Sequence, residues 1–408
     1  MAFRIAALCT QYFPYSHADV IVTRWLEQVK HDVVLGFVPG TQIASLWVMQ
    51  QHPEGGQRMP ADYDVSPNRA ARDFTRYDIS QAVANRYGVP MFSTIYEALT
   101  LGTGTLAVDA VILIGEHGDF PFNEYGQHLY PRKALFDEVA ECFRKLGRVV
   151  PLFCDKHLSW NMDWAQEMVH TIQAMKIPFF SGSSVPISGT LHELFVDGAD
   201  IAESMGLFYS GHEVYGIHSM EFVQSIAEKR AGGERGITAI RTYEGEAVWA
   251  ALERGEWSRD LFEATLAAAI TAKPGQYKDN CKQSQLATVA IVCEHADGHK
   301  QTHLCLDGHI EEFVCGVKLR NGECRASTAN MSDLRNFVVN FGHLAREMQK
   351  FFLTQQSPVA IERLLLTTLL VASFVRALKD APGQRILTPH LALPYQPYAY
   401  RPVRESAS

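Results

Sequence analysis

The sequence lacks any dense run of lysine and arginine, and its formal net charge over 408 residues is -8. That balance argues against nucleic acid or an anionic membrane as the main partner and leaves small molecules. No stretch reaches the roughly 18 uninterrupted apolar residues of a membrane span, and no signal-peptide pattern opens the chain. The most apolar segment, residues 364–378, carries Thr367, Thr368, Ser373 and Arg376 and reads as a buried helix. CxxC pairs are absent too. The eight cysteines are scattered through apolar runs and read as reduced, buried thiols, the usage of a cytoplasmic protein. P-loop, HExxH and EF-hand patterns are missing, so the usual sequence marks of phosphate, zinc and calcium chemistry are missing with them.

What is present is the balance of a globular enzyme: 47% hydrophobic and 20% charged residues, in a chain long enough for more than one core. The first half alternates strand-like apolar runs with amphipathic helical stretches. Strands are expected at residues 4–8, 43–49, 107–115, 148–153 and 177–181, and helices at 79–86, 135–146 and 162–175. This is the pattern of a parallel sheet covered by helices, whose strand carboxyl ends face a shared ligand crevice. The second half turns to longer β-rich runs at 237–243, 285–293 and 303–319, with Asp297-Gly298 marking a hairpin, and then to helices at 333–353 and 358–378. The expected fold is α/β: a Rossmann-like parallel sheet over residues 1–185, followed over 186–408 by an α+β domain with a large, mainly antiparallel open sheet. The last helices are free to return to the first domain.

Chemistry-bearing residues gather at the ends of the expected strands. Cys154-Asp155-Lys156-His157 closes an apolar run, and a lysine so placed can be partly desolvated and used in proton transfer; an ordinary solvated lysine gives the same pattern. Glu116-His117-Gly118-Asp119 closes another, as ligand contacts or as a polar cap. It leads into a connection dense in polar and aromatic groups, among them Asn123, Glu124, His128, Tyr130 and Arg132. The small-residue turn Ser181-Gly182-Ser183-Ser184 leaves N–H groups for a ligand oxygen or simply packs tightly. His212-Glu213-Val214-Tyr215-Gly216-Ile217-His218 opens a helix, with histidines and acids enough for an acid/base pair or a metal. For Cys293, His295, His299, His303, Cys305 and His309, a two-residue turn at Asp297-Gly298 scatters the candidates over both sheet faces, and zinc is rejected there.

With these residues in view, the chain resembles the Gfo/Idh/MocA family of nicotinamide-dependent sugar and polyol dehydrogenases. Val108-Asp109-Ala110-Val111 is similar to that family's VDAV strand. The run from Gly147 to His157 is similar to its GKxV strand and EKP motif, and Val214 to His218 to its GxH segment. Glu362-Arg363 and Leu387-Thr388-Pro389 resemble the closing part of its second domain. The resemblance, over residues 4–395, implies a Rossmann domain followed by an α+β domain and a homo-oligomer formed through the C-terminal sheet. It implies NAD or NADP as cofactor, with Thr10, Gln11 and Tyr12 beside it, and a carbohydrate-like substrate. Lys156 would touch nicotinamide and substrate hydroxyl, and His218 would move the hydroxyl proton. Asp155 and Glu213 would join them in catalysis, and Glu116, His117, His157, His212 and Tyr215 would bind substrate. The turn after the first strand departs from the family: Cys9 to Asp19 contains no glycine, and EKP has become Asp155-Lys156-His157. A metal-assisted lyase, epimerase or hydrolase using Glu116, His117, Asp155, His157, His212 and Glu213 is the second reading. A sugar-binding protein without catalysis is the third.

Overall fold

The computed structural model describes residues 3–27, 40–51, 59–60, 62–66, 76–194, 197–331, 338–400 and 402.

Strands β1 (Phe3–Cys9), β2 (Thr41–Val48), β3 (Ala110–Ile114), β4 (Leu152–Asp155) and β5 (Phe179–Gly182) form a parallel sheet in the order β2-β1-β3-β4-β5. Their apolar runs are buried on both faces, the condition under which an all-parallel sheet is stable. After β1 the chain makes a five-residue π-turn (Asp19–Thr23) and a short helix, α1 (Arg24–Leu26). Helices α2 (Ser80–Tyr87), α3 (Ile95–Thr100), α4 (Arg132–Leu146), α5 (Met162–Met175) and the one-turn α6 (Ser184–Ser188) complete this half. The bounds of α5 are those expected from its periodicity, because Asn161 caps its start through Trp164 N–H and Lys176 ends it in a left-handed conformation. Because β2 and β3 flank β1 on opposite sides, the topological switch lies between β1 and β3. Their carboxyl ends, with those of β4 and β5, surround the crevice.

The second sheet has the order β11-β10-β6-β9-β8-β7-β12, built from β6 (Ile201–Phe208), β7 (Ile237–Glu244), β8 (Val289–His295), β9 (Lys300–Cys305), β10 (Val314–Leu319), β11 (Cys324–Thr328) and β12 (Ile386–Leu387). Only β6 and β9 run parallel. The central β6 gave no alternating signal in the sequence, since Glu203, Ser204 and Gly206 interrupt its apolar positions. The run 303–319 is two strands, broken where Asp307-Gly308 turns the chain. The hairpin at Asp297-Gly298 is present with a one-residue difference. His295 pairs with His299 around a three-residue loop, with Gly298 at φ 82. His303 therefore lies opposite Ile291 and shares a face with Cys293 and His295. Each histidine there has its own partner: His295 with Glu234, His299 with Ser204, His303 with Ser219.

One face of this sheet receives α7 (Gly216–Ala227) and the long C-terminal α12 (Ile361–Asp380). The other is covered by α8 (Glu246–Glu253), α9 (Arg259–Ala267) and α10 (Tyr277–Lys282); Trp249, Leu261 and Phe262 of these helices, with Trp257 between α8 and α9, make a second core with Met205, Leu207 and Val292. Helices of the chain itself thus lie on both faces of this sheet. The C-terminal helices do return to the first sheet: Leu158 N–H donates to Thr368, and Asn340 of α11 (Val339–Thr354) donates to Ser184. One continuous apolar core joins both sheets. No described helix is long and apolar enough to cross a membrane, and all eight cysteines are free thiols.

Gly206 shows how closely α7 lies on the second sheet. A Cβ there would sit 2.5 Å from Ser219 Oγ, 2.7 Å from Val223 Cγ2 and 2.9 Å from His303 Nδ1. Gly206→Ala is expected to cost about 1–3 kcal/mol by overpacking, read as a lowered urea midpoint with an unchanged denaturant slope.

Candidate active site

The parallel strands deliver their last residues to one buried polar cluster. β4 ends in Asp155 and continues into Lys156 and His157; β3 leads through Gly115 into Glu116 and His117. Gly118, at φ 135, bends the chain there, where a Cβ would lie 2.2 Å from the Phe120 ring. The second half contributes Glu213 and, from the first turn of α7, His218.

Lys156 and His218 meet at the centre. Lys156 Nζ donates to His218 Nε2 at 2.7 Å and to the Val214 carbonyl at 3.2 Å, and lies 3.4 Å from Glu116 Oε1. An ammonium can only donate, so His218 Nε2 accepts and its proton sits on Nδ1, 2.5 Å from Ser183 Oγ. Burial, reinforced by the Lys156 charge, holds the His218 imidazole well below its ordinary pKa, so it is a neutral base. Ser183 is positioned in turn by Glu221, whose carboxylate accepts the Ser183 N–H at 2.7 Å. The small-residue turn expected to offer N–H groups or to pack tightly therefore orients the histidine through Ser183.

Glu116 binds both Lys156 and Arg132 Nη2. Burial alone would raise its pKa, but those two cations outweigh it and hold the carboxyl well below the usual range. Arg132, itself buried, stacks 4.9 Å over the Tyr130 ring and has no protein partner for Nε or Nη1. Glu213 accepts from His128 N–H at 3.0 Å and Gln127 Nε2 at 3.3 Å, and burial pushes its pKa up to about 7. His157 lies 3.9 Å from Glu213, too far for a hydrogen bond; both its ring nitrogens are buried without partners, and burial holds it neutral. His117 has an unpartnered buried Nε2 and is likewise neutral, its pKa lowered to about 3 by burial. Both buried cations of the cluster, Arg132 and Lys156, therefore face the same carboxylate, Glu116.

Glu213 has a consequence for stability. Its folded pKa of about 7 exceeds the ordinary 4.5, so between these values the folded state keeps a proton that the unfolded chain has released. Stability therefore falls as pH rises through that window, by about 3 kcal/mol in full. Glu213→Gln is expected to flatten that slope and to stabilise the protein more at pH 8 than at pH 5, as urea denaturation at the two pH values would show. An equal change at both would count against the shift.

Asp155 is engaged by a residue the sequence did not single out. His17, from the turn after β1, donates Nδ1–H to Asp155 Oδ2 at 2.5 Å. Its ring stands edge-on to His117 and to Phe341 of α11, at 5.1 and 5.0 Å. Only its place in a turn that replaces a glycine-rich one could have drawn attention to it. Tyr215 belongs to the wall, its ring 6.0 Å from that of His218. His212 does not join the cluster: its Nε2 bonds the Ala287 carbonyl and its ring lies against Phe374.

The three side chains expected beside a cofactor are turned into the protein. Thr10 donates to the Glu116 carbonyl at 2.7 Å; Gln11 donates to Gln50 and Asp119; the Tyr12 hydroxyl pairs with Thr23. Nor does the second reading's metal set assemble. Among the described residues no three His, Cys, Asp or Glu side chains are grouped to hold an ion, because Glu116 is committed to Lys156 and Arg132 and His212 lies elsewhere.

No family model matches the chain, and no curated protein matches it in sequence. Solved structures do match in fold. GenD2 from gentamicin A biosynthesis, solved with NAD, superposes with a TM-score of 0.56 at 11% identity, covering 95% of this chain and 96% of the other. Myo-inositol 2-dehydrogenase from Lactobacillus plantarum gives 0.55 at 9% identity, over 95% and 99%. Myo-inositol dehydrogenase from Lactobacillus casei, solved with NAD(H) and myo-inositol, gives 0.55 at 10% identity, over 95% and 97%. The likeness spans both sheets and is one of fold: the two-part architecture implied by the sequence resemblance is the one these enzymes share.

Proposed function

We propose that this protein is an oxidoreductase acting at a hydroxyl-bearing carbon of an uncharged sugar or polyol. The observation that carries the reading is the buried contact, 2.7 Å, between Lys156 Nζ and His218 Nε2, side chains 62 residues apart in sequence. Oxidation of an alcohol removes a proton from oxygen and a hydride from carbon, leaving a carbonyl. A neutral imidazole beside an ammonium suits the proton half: Lys156 donates a hydrogen bond to the substrate oxygen and His218 Nε2 receives its proton. Ser183 holds Nδ1 throughout, so the same nitrogen returns the proton in the reverse direction.

The substrate class follows from charge and donors. Lys156 and Arg132 both already face Glu116, whose buried carboxylate disfavours a second anion beside it, whereas His157, His117 and Arg132 keep unpartnered buried polar atoms that hydroxyl groups can satisfy. NAD or NADP is the proposed redox partner, on the strength of fold neighbours solved with NAD. Such a cofactor supplies acceptance or return of the hydride. The turn after β1 does not fit its pyrophosphate as it stands, since Phe13 and Asp19 N–H are taken by Ser16 Oγ, and Tyr15 N–H by Asp19.

The test is to denature the purified protein, assay the released fraction for nicotinamide nucleotides by mass spectrometry, and screen uncharged polyols, sugars and their phosphates for NAD- or NADP-linked oxidation. Turnover of neutral substrates with phosphorylated ones inert is the expected result. Nucleotide-free protein without turnover on any of them would sink the reading.

A further inference from the structure

We propose that residues 11–23 are a built-in plug in the dinucleotide groove, so that seating a nicotinamide dinucleotide and keeping the His17–Asp155 contact exclude each other. The inference rests on the dinucleotide reading above and adds a device to it.

Position is the first ground. In the strand order β1-β3-β4, a dinucleotide bound across the carboxyl ends would run from the turn after β1 towards β4. The chain's own side chains make that crossing. Gln11 binds Gln50 beyond β2 and Asp119 beyond β3, and His17 reaches past β3 to Asp155 on β4, two strand spacings or roughly 10 Å away. Phe13 and His17 both stand edge-on to the His117 ring, and Phe341 closes over His17.

Charge is the second. A phosphate at this turn needs free N–H groups and no competing anion. Here the Asp19 carboxylate, wholly buried, already accepts from Tyr15 N–H at 2.8 Å and from Thr23 Oγ1 at 2.7 Å. It occupies the role of an internal anion and would repel a second one. Tyr15 holds a left-handed φ of 62 without being glycine, a conformation that the surrounding bonds must maintain. Tyr12 and Val20 to Val22 anchor the segment in the apolar core, so what a tighter-binding ligand would displace is its polar crossing, the contacts of Gln11 with Asp119 and of His17 with Asp155.

The full chain would be titrated with NADH by fluorescence and calorimetry beside Asp19→Asn and His17→Asn, with hydrogen exchange followed over residues 10–23. Asp19→Asn keeps the local hydrogen-bond geometry but removes the charge, and circular dichroism checks the fold of both variants. If the groove is open in about 1–10% of molecules, releasing the plug tightens NADH binding by about 10–100-fold. NADH should also speed exchange in residues 10–23 of the unaltered protein, the opposite of ordinary protection by a ligand. NADH binding that protects the segment, with both variants no tighter, would overturn the plug and leave the dinucleotide reading standing. Folded protein and folded variants that all fail to bind NADH would remove the dinucleotide reading and the plug together.

Discussion

Lys156→Met is expected to lower the rate of polyol oxidation by about 10²–10⁴-fold, the range for loss of a positioned proton-transfer group. Methionine keeps the unbranched length of the lysine stem and fills the same buried space, so the loss is chemical rather than a cavity effect. What disappears is the donor to His218 Nε2 and one of the two cations that hold Glu116 ionised. His218→Asn should cause a loss of similar size. The double variant should be little worse than either single one, because the two side chains act as one unit. Steady-state kinetics separate this from a structural role. A proton-transfer pair lowers kcat with modest change in KM and alters the pH profile, whereas a packing defect lowers the unfolding midpoint and leaves the profile's shape alone. Retention of turnover within threefold in Lys156→Met would remove the lysine from the mechanism.

The second large effect concerns stability. Arg132→Met leaves Glu116, about 2% exposed, without its guanidinium partner, and unpairing one side of a buried ion pair costs about 3–5 kcal/mol. Lys156, at 3.4 Å, still faces Glu116, which places the expected loss toward the lower end of that range. Adding Glu116→Gln should recover much of the loss, since the cost lies in the uncompensated charge rather than in the missing contact. Urea denaturation of the two single variants and the double variant measures this coupling directly. A double variant less stable than Arg132→Met alone would show that Glu116 has other partners sufficient to keep it charged.

Helix α5, the five parallel strands and the grouping of Asp155, Lys156 and His157 were legible because each depends on residues near one another in sequence. Apolar runs of four to eight residues stay strands in a doubly covered sheet, and a capped, periodic stretch stays a helix. The second sheet was harder. Its central β6 carries polar and glycine positions that only make sense once α7 presses against Gly206. In the β8–β9 hairpin one additional loop residue moved His303 to the other face, a shift no composition signal reports.

The same division holds at the site. The chain alone determined which residue types end the strands, and so placed a lysine, a histidine and several acids beside one crevice, as an acid/base set or as metal ligands. Only the tertiary structure decided how they are used. It joined His17 to Asp155 across 138 residues, put Ser183 and Glu221 behind His218, withdrew His212, and turned Thr10, Gln11 and Tyr12 inward. The physical reason is that strand and helix periodicity are set by neighbours a few residues apart. Pairing among buried polar groups is set instead by which side chains remain to satisfy one another once two sheets and their helices have closed around them.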